Sequence, residues 1–199
     1  MRSFVAGMVF LATLGGAAMA VPVSAEAPPK AFSLAKDGHT LIHQESGTKL
    51  PETLAGFRRV GEKAFDGSGQ YVGVAYADTL PGGGKVSLTL AIVHIKDMTA
   101  QQHFIIAKPM VLKGLGDVKT VSEGPYDRPG KGADGYLGLY DAQAGGKPVS
   151  VGLWTIDRGY WALRGRAEFP QDKRAEAQAA IDRFVDAFTA LDQPYNHRP

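Results

Sequence analysis

Asp37, His39, His43 and Glu45 share one parity of the stretch around Thr40–Gln44 and form the chain's one grouping of metal-ligand residue types. A zinc-type site needs its donors within about 2 Å of the ion. On a strand rising about 3.3 Å per residue, His39 and His43 stand about 13 Å apart, too far to share an ion. Only a turn or a helix there would bring them together. The residues read as the solvated face of an edge strand, and no metal is expected.

Nucleophilic chemistry has no better footing. Ser68 lies in Asp66-Gly67-Ser68-Gly69-Gln70, which lacks the leading glycine of a nucleophile elbow and falls between two candidate strands. His94 sits on an apolar parity and reads as a half-buried core histidine, and His103 falls in a helical segment without an evident partner. No Ser–His–acid set assembles from spacing. Pro81-Gly82-Gly83-Gly84-Lys85 looks like a phosphate loop, yet Thr79 stands where its first glycine belongs and Val86 follows the lysine in place of Ser or Thr. A strand comes next, so no helix N-terminus faces an anion. It is a hairpin turn. Neither a catalytic residue nor a cofactor is expected.

The most suggestive polar residues lie near the end of the chain. Tyr160, Ala162, Arg164, Arg166 and Glu168 project one way from the last candidate strand; Trp161, Leu163, Gly165, Ala167 and Phe169 project the other. Arginines two residues apart stand about 6.6 Å from each other and can converge on one carboxylate or phosphate, with the tyrosine adding a flat apolar contact. The same residues suit a solvated sheet face with cross-strand ion pairs. If the sheet carries a binding surface, its residues are Tyr160, Arg164 and Arg166, with Arg58 as a neighbour from an early strand. The ligand would then be an anionic small molecule or an envelope protein.

The elements that must hold these residues follow a period of two. Turn residues recur about every ten positions, with apolar alternation between them. Strands are expected at Thr40–Gln44, Phe57–Phe65, Tyr71–Asp78, Lys85–Lys96, Val118–Glu123, Gly135–Asp141, Val149–Asp157 and Tyr160–Phe169. The Lys85 strand has Val86, Leu88, Leu90 and Ile92 on one parity, and its other parity turns apolar only at the end, as for a central strand covered twice over part of its length. Two segments are helical instead. Thr99 and Gln102 have capping-box spacing, and Phe104, Ile105, Val111, Leu112 and Leu115 would form the buried stripe of a helix that Pro109 kinks or interrupts. From Gln171 to Asp192, Ala177, Ala180, Ile181, Phe184, Phe188 and Leu191 recur at helical spacing. The strand pairs near Val74–Leu88 and Leu139–Ser150 echo each other weakly, and convergence of similar hairpins explains so short a match.

The chain has 199 residues, no cysteine and one asparagine, Asn196, outside any glycosylation acceptor. Arg2, the uncharged run Phe4–Ala20 and Val23-Ser24-Ala25 have the order of a secretory signal peptide, with cleavage expected near Ala25; a retained membrane anchor is the alternative. Removing residues 1–25 leaves 174 residues with 21 basic and 20 acidic side chains. So even a balance gives no general attraction to nucleic acid, and 174 residues can build a core without disulfides. The expected layout is a signal peptide at 1–25, a flexible leader at 26–37, a single α+β domain at 38–192 and a frayed tail at 193–199. The mature protein is expected in the periplasm or medium, without a membrane span.

Leu50-Pro51-Glu52-Thr53-Leu54-Ala55-Gly56-Phe57-Arg58-Arg59, followed by Tyr71-Val72-Gly73-Val74-Ala75-Tyr76 and Val86-Ser87-Leu88-Thr89-Leu90, resembles the opening of PsbP/Mog1-like domains. The resemblance covers about the first half of the mature chain. It implies an α/β sandwich in which an antiparallel sheet is flanked by helices, with a long C-terminal amphipathic helix, and it implies a non-enzymatic accessory or interaction protein. No family residue carries over to a position here. A lipocalin-like barrel is the alternative fold, disfavoured by the two helices. The expected function is an exported binding or accessory module of the cell envelope. The alternative is a periplasmic hydrolase whose site assembles only in the fold.

Overall fold

The alternating segments become strands of one antiparallel sheet. A computed structural model of the chain describes residues 30–126 and 135–191. The signal peptide expected at 1–25 and the tail expected at 193–199 lie outside the described residues. Eight strands order as β4-β5-β6-β7-β11-β10-β9-β8, where β4 is Thr53–Leu54, β5 Phe57–Ala64, β6 Tyr71–Thr79, β7 Lys85–His94, β8 Gly116–Pro125, β9 Gly135–Ala144, β10 Lys147–Arg158 and β11 Trp161–Pro170. A smaller sheet joins β1 (Phe32–Leu34), β2 (Leu41–His43) and β3 (Lys49–Leu50). Phe32 is buried there with Leu41 and Leu50, so residues 32–34 are not the flexible leader expected. Burying an aromatic ring offsets the entropy of ordering this short strand.

Each face of the large sheet meets one helix. The residues Val72, Val74 and Tyr76 of β6, Val86, Leu88, Leu90 and Ile92 of β7, and Leu163, Ala167 and Phe169 of β11 form the main core. Helix α2 (Arg174–Ala190) closes it with Ala177, Ala180, Ile181, Phe184, Val185 and Phe188, the helical stripe expected from the sequence. A turn of 3-10 helix at Gln171–Lys173 leads into α2. The ring of Phe184 meets Phe57 at 5.2 Å and Tyr76 at 5.1 Å, both near edge-on.

Helix α1 (Ala100–Leu112) lies on the other face, packed mainly on β9 and β10, with Lys108 paired to Glu123 of β8. Its Phe104 and Ala107 pack with Tyr140 and Leu153. Thr155 Oγ1 donates to the carbonyl of Ala100 at 2.7 Å, fixing the start of the helix to the sheet. The capping box forms: Gln102 N–H donates to Thr99 Oγ1 and Thr99 N–H to Gln102 Oε1. One expectation for this helix fails and one narrows. Pro109 does not interrupt it, because the proline sits on the exposed side, where water can serve the carbonyl left without a partner. Ile105 is 61% exposed and takes no part in the buried stripe, since α1 rests mainly on two strands.

The echoing hairpins are β6–β7 and β9–β10, which hold different places in the two halves of the sheet. Strands β4–β7 and β8–β11 are two four-stranded meanders, each followed by a helix, that abut through β7 and β11. The two helices occupy opposite faces, as the opposite parities of Leu153 under α1 and Trp154 under α2 require. The halves are therefore not superimposable copies about an axis normal to the sheet.

Candidate functional site

Because α1 packs mainly on β9 and β10, most of the same face of β5, β6 and β7, with the Arg166–Glu168 end of β11, carries no helix. Register builds this open face row by row. One row runs Lys63–Gly73–Ala91–Arg164, the next Gly61–Ala75–Thr89–Arg166, and the next Arg58–Ala77–Ser87–Glu168. Phe65 lies beside Tyr71, its N–H donating to the Tyr71 carbonyl at 2.8 Å. The middle strands thus supply a floor of Gly, Ala, Ser and Thr. Long cationic and aromatic side chains stand at both margins. The face is a trough by composition: small residues in the middle, large ones on β5 and β11.

A β-bulge decides which residues of β5 reach this face. Register shifts between Arg59 and Gly61, leaving Val60 as the extra residue, 62% exposed. Arg58 is even-numbered while Gly61 and Lys63 are odd, yet the bulge puts all three on the open side. Strict alternation would have sent Lys63 across the sheet from Arg58. Sequence reasoning therefore missed Lys63 and Phe65, although a glycine within a candidate strand is the usual sign of a bulge.

Of the four residues expected to bind, Arg164 and Arg166 do share the open face. Arg164 donates to the hydroxyl of Tyr71, and its guanidinium lies 5.5 Å from the centre of that ring. Arg166 pairs with Glu168 at 2.6 Å. Arg58 is on the same face but three strands away, about 14 Å at the usual strand spacing, and its nearest acid is Glu52 at 3.7 Å. It is not a neighbour of the arginine pair. Tyr160 departs from the expected parity: it sits in the turn before β11, packs on the main core, and stacks on His94 at 6.4 Å. Its carbonyl accepts from Ile95 N–H at 2.9 Å. His94 is itself exposed rather than half-buried, because β7 ends there beyond the cover of α2. It meets Trp161 edge-on at 5.0 Å.

The aromatic margin is continuous. Phe65 stacks on Tyr71 at 4.4 Å and 30°. Lys63 Nζ lies 5.5 Å from the Phe65 ring centre, so the stacked pair is held between two cations, Lys63 and Arg164. On the opposite margin, His103 of α1 is buried with no hydrogen-bond partner at Nδ1. Burial first, and then the charge of Arg164, push its imidazole down to about 4, so it is neutral at pH 7. Ile106 and Met110, one and two turns beyond His103, are 52% and 57% exposed on that side of the helix.

The remaining chemistry-bearing residues resolve into structural roles. Asp37 staples a turn: its carboxylate accepts from the N–H groups of His39 and Thr40 and from the Thr40 hydroxyl. Those bonds, the backbone ones foremost, lower its pKa to about 2. His39 turns to Glu52 at 2.9 Å. His43 lies apart from them, wholly buried, with Nε2 donating to the Gly69 carbonyl at 2.8 Å and Nδ1 accepting from Ser46 Oγ at 2.7 Å. Ser46 is buried too, and its oxygen is shared with Thr48. The fold does bring a serine to a histidine, but the hydroxyl is buried and the far nitrogen meets a carbonyl instead of a carboxylate. Among the described residues no three His, Asp or Glu side chains stand close enough to hold a metal ion. No helix there is long and apolar enough to cross a membrane.

No protein-family profile and no curated protein matches the chain. Solved structures do. LpqN of Mycobacterium tuberculosis, described as involved in cell envelope biogenesis, is 14% identical over 66% of this chain and 76% of its own, with a TM-score of 0.43. Cyanobacterial PsbP from Synechocystis is 13% identical over 68% of this chain and 92% of its own, with a TM-score of 0.44. A Pseudomonas aeruginosa protein of unknown function, PA94, is 12% identical over 79% and 99%, also at 0.44. The architecture is the α+β type expected, an antiparallel sheet with two helices, the second long and C-terminal.

Proposed function

We propose that this protein is an exported, non-enzymatic binding module of the bacterial cell envelope that holds an anionic ligand on the open face of its sheet. The observation that carries the reading is the part of this face without a helix, where Ala75, Ser87 and Thr89 lie between Lys63 on β5 and Arg164 and Arg166 on β11, with the Phe65–Tyr71 stack closing one end against Arg164. Large side chains around a floor of small residues that stays partly exposed at Ala75, Ser87 and Thr89 give a concave surface of the kind a ligand can use. Export rests on the order of residues 1–25. The hydrolase alternative finds its nearest nucleophile–base pair in Ser46 and His43, which are buried.

The test is native mass spectrometry of protein recovered from its host's envelope fraction. The expected product begins at Glu26 and carries a small anion that the Arg164→Gln/Arg166→Gln variant has lost at unchanged melting temperature. The same anion retained by the variant, or lost only together with stability, would assign both arginines to the scaffold. Ester, peptide or glycoside turnover abolished by one substitution would establish an enzyme instead.

A further inference from the structure

The second row of the open face leads to a defined slot at the β5 margin. Gly61, Ala75 and Thr89 form its floor across three strands, about 9.5 Å from first to last. The depression there has a volume of about 290 Å³, just below the usual range for small-molecule sites, and is shallow and broadly open to solvent. Phe65 walls it. That ring is 45% exposed although it is stacked on Tyr71, so part of its face is free for a ligand. Lys63 stands beside it, and among the described residues its ammonium has no carboxylate partner. By contrast Arg166, at the far end of the row, is satisfied by Glu168. Glu62 also borders the slot.

Gly61 has nothing within 4 Å of the position a Cβ would take, so its side of the slot is empty space that the fold does not need for packing. An exposed apolar wall, an unfilled floor and a cation without a carboxylate partner complement a small apolar anion whose charge lies on the Lys63 side, away from Glu62. We propose that the slot binds a small monocarboxylate, its apolar body lying on Gly61, Ala75 and Thr89 against Phe65 and its carboxylate paired with Lys63 Nζ. Lysine suits this role because its flexible stem lets the ammonium leave the Phe65 ring for the ligand. This inference rests on the reading of the open face as a ligand surface and names a site within it.

The experiment is titration of isotope-labelled protein with hexanoate, phenylacetate and inorganic phosphate, followed by amide shifts and calorimetry. Hexanoate or phenylacetate is expected to perturb Gly61, Ala75 and Thr89, and which of the two binds tighter separates an acyl from an aryl ligand. Gly61→Leu, which fills the slot without a backbone clash, and Lys63→Met, which keeps the stem and removes the charge, should each weaken binding by about tenfold or more. If Gly61→Leu fails to fold, Lys63→Met carries the test. Carboxylate binding that maps to Arg164 and Arg166 and survives both substitutions would overturn the slot while leaving the open-face reading intact. Shifts confined to the α2 side would overturn both. Phosphate binding as tightly as the carboxylates, or no carboxylate binding up to about 10 mM, would also overturn the slot.

Discussion

The ring of Phe65 lies directly on Gly73: a Cβ built at Gly73 would stand 2.7 Å from Phe65 Cε2. The absent side chain lets an aromatic from β5 fold across β6 and stack on Tyr71. Gly73→Ala should therefore displace Phe65 without unfolding the protein, because the ring is half-exposed and free to swing away. The expected loss of stability is below about 1 kcal/mol. Ring-current shifts at Tyr71 should change sharply. A Phe65–Tyr71 stack unaltered in Gly73→Ala would show that the floor, rather than the ring, gives way.

Trp154 and Gly165 repeat the arrangement on the buried face, with the opposite consequence. They are cross-strand partners on β10 and β11, and a Cβ at Gly165 would fall inside the indole. Trp154 is 3% exposed beneath α2 and has nowhere to move. Gly165→Ala should cost about 3 kcal/mol or more, read as a lower urea midpoint. Gly152→Ala, where the nearest atom is Ala167 Cβ at 4.0 Å, is the control and should cost little. Equal losses for the two would mean that the indole repacks.

Both glycines mark what the sequence could and could not say. The strands and α2 were legible because period-two and period-3.6 patterns are local and the core enforces them, as Val86–Ile92 and Ala177–Phe188 show. Arg164 and Arg166 were placed together on one face for the same reason. What was not legible depended on non-local events. The bulge at Val60 transferred Lys63 and Phe65 to the open side, and the turn at Gly159 took Tyr160 off it. Ile105 lost its expected partners because α1 docks mainly on two strands at one end of the sheet, a choice that no periodicity encodes.

His103 gives the protein a pH dependence whose sign is fixed by its surroundings. Burial and the neighbouring Arg164 hold its pKa at about 4, below the ordinary 6.5, so the unfolded chain binds its proton more readily than the folded one. Its contribution to stability is complete above about 6.5 and is lost as pH falls towards 4. At 1.36 kcal/mol per unit the full loss is on the order of 3 kcal/mol. The buried His43, also depressed by desolvation, acts in the same direction. Urea unfolding of wild type and His103→Met between pH 7 and pH 4.5 isolates the first contribution, since the remaining groups titrate alike in both. The variant should match or exceed wild type at pH 7, because Nδ1 has no partner to lose, and its advantage should widen steadily in acid. Parallel stability curves would mean that His103 protonates freely in the folded state. An anion seated at Arg164 should raise the His103 pKa by neutralising the charge beside it, which ties this titration to occupancy of the open face.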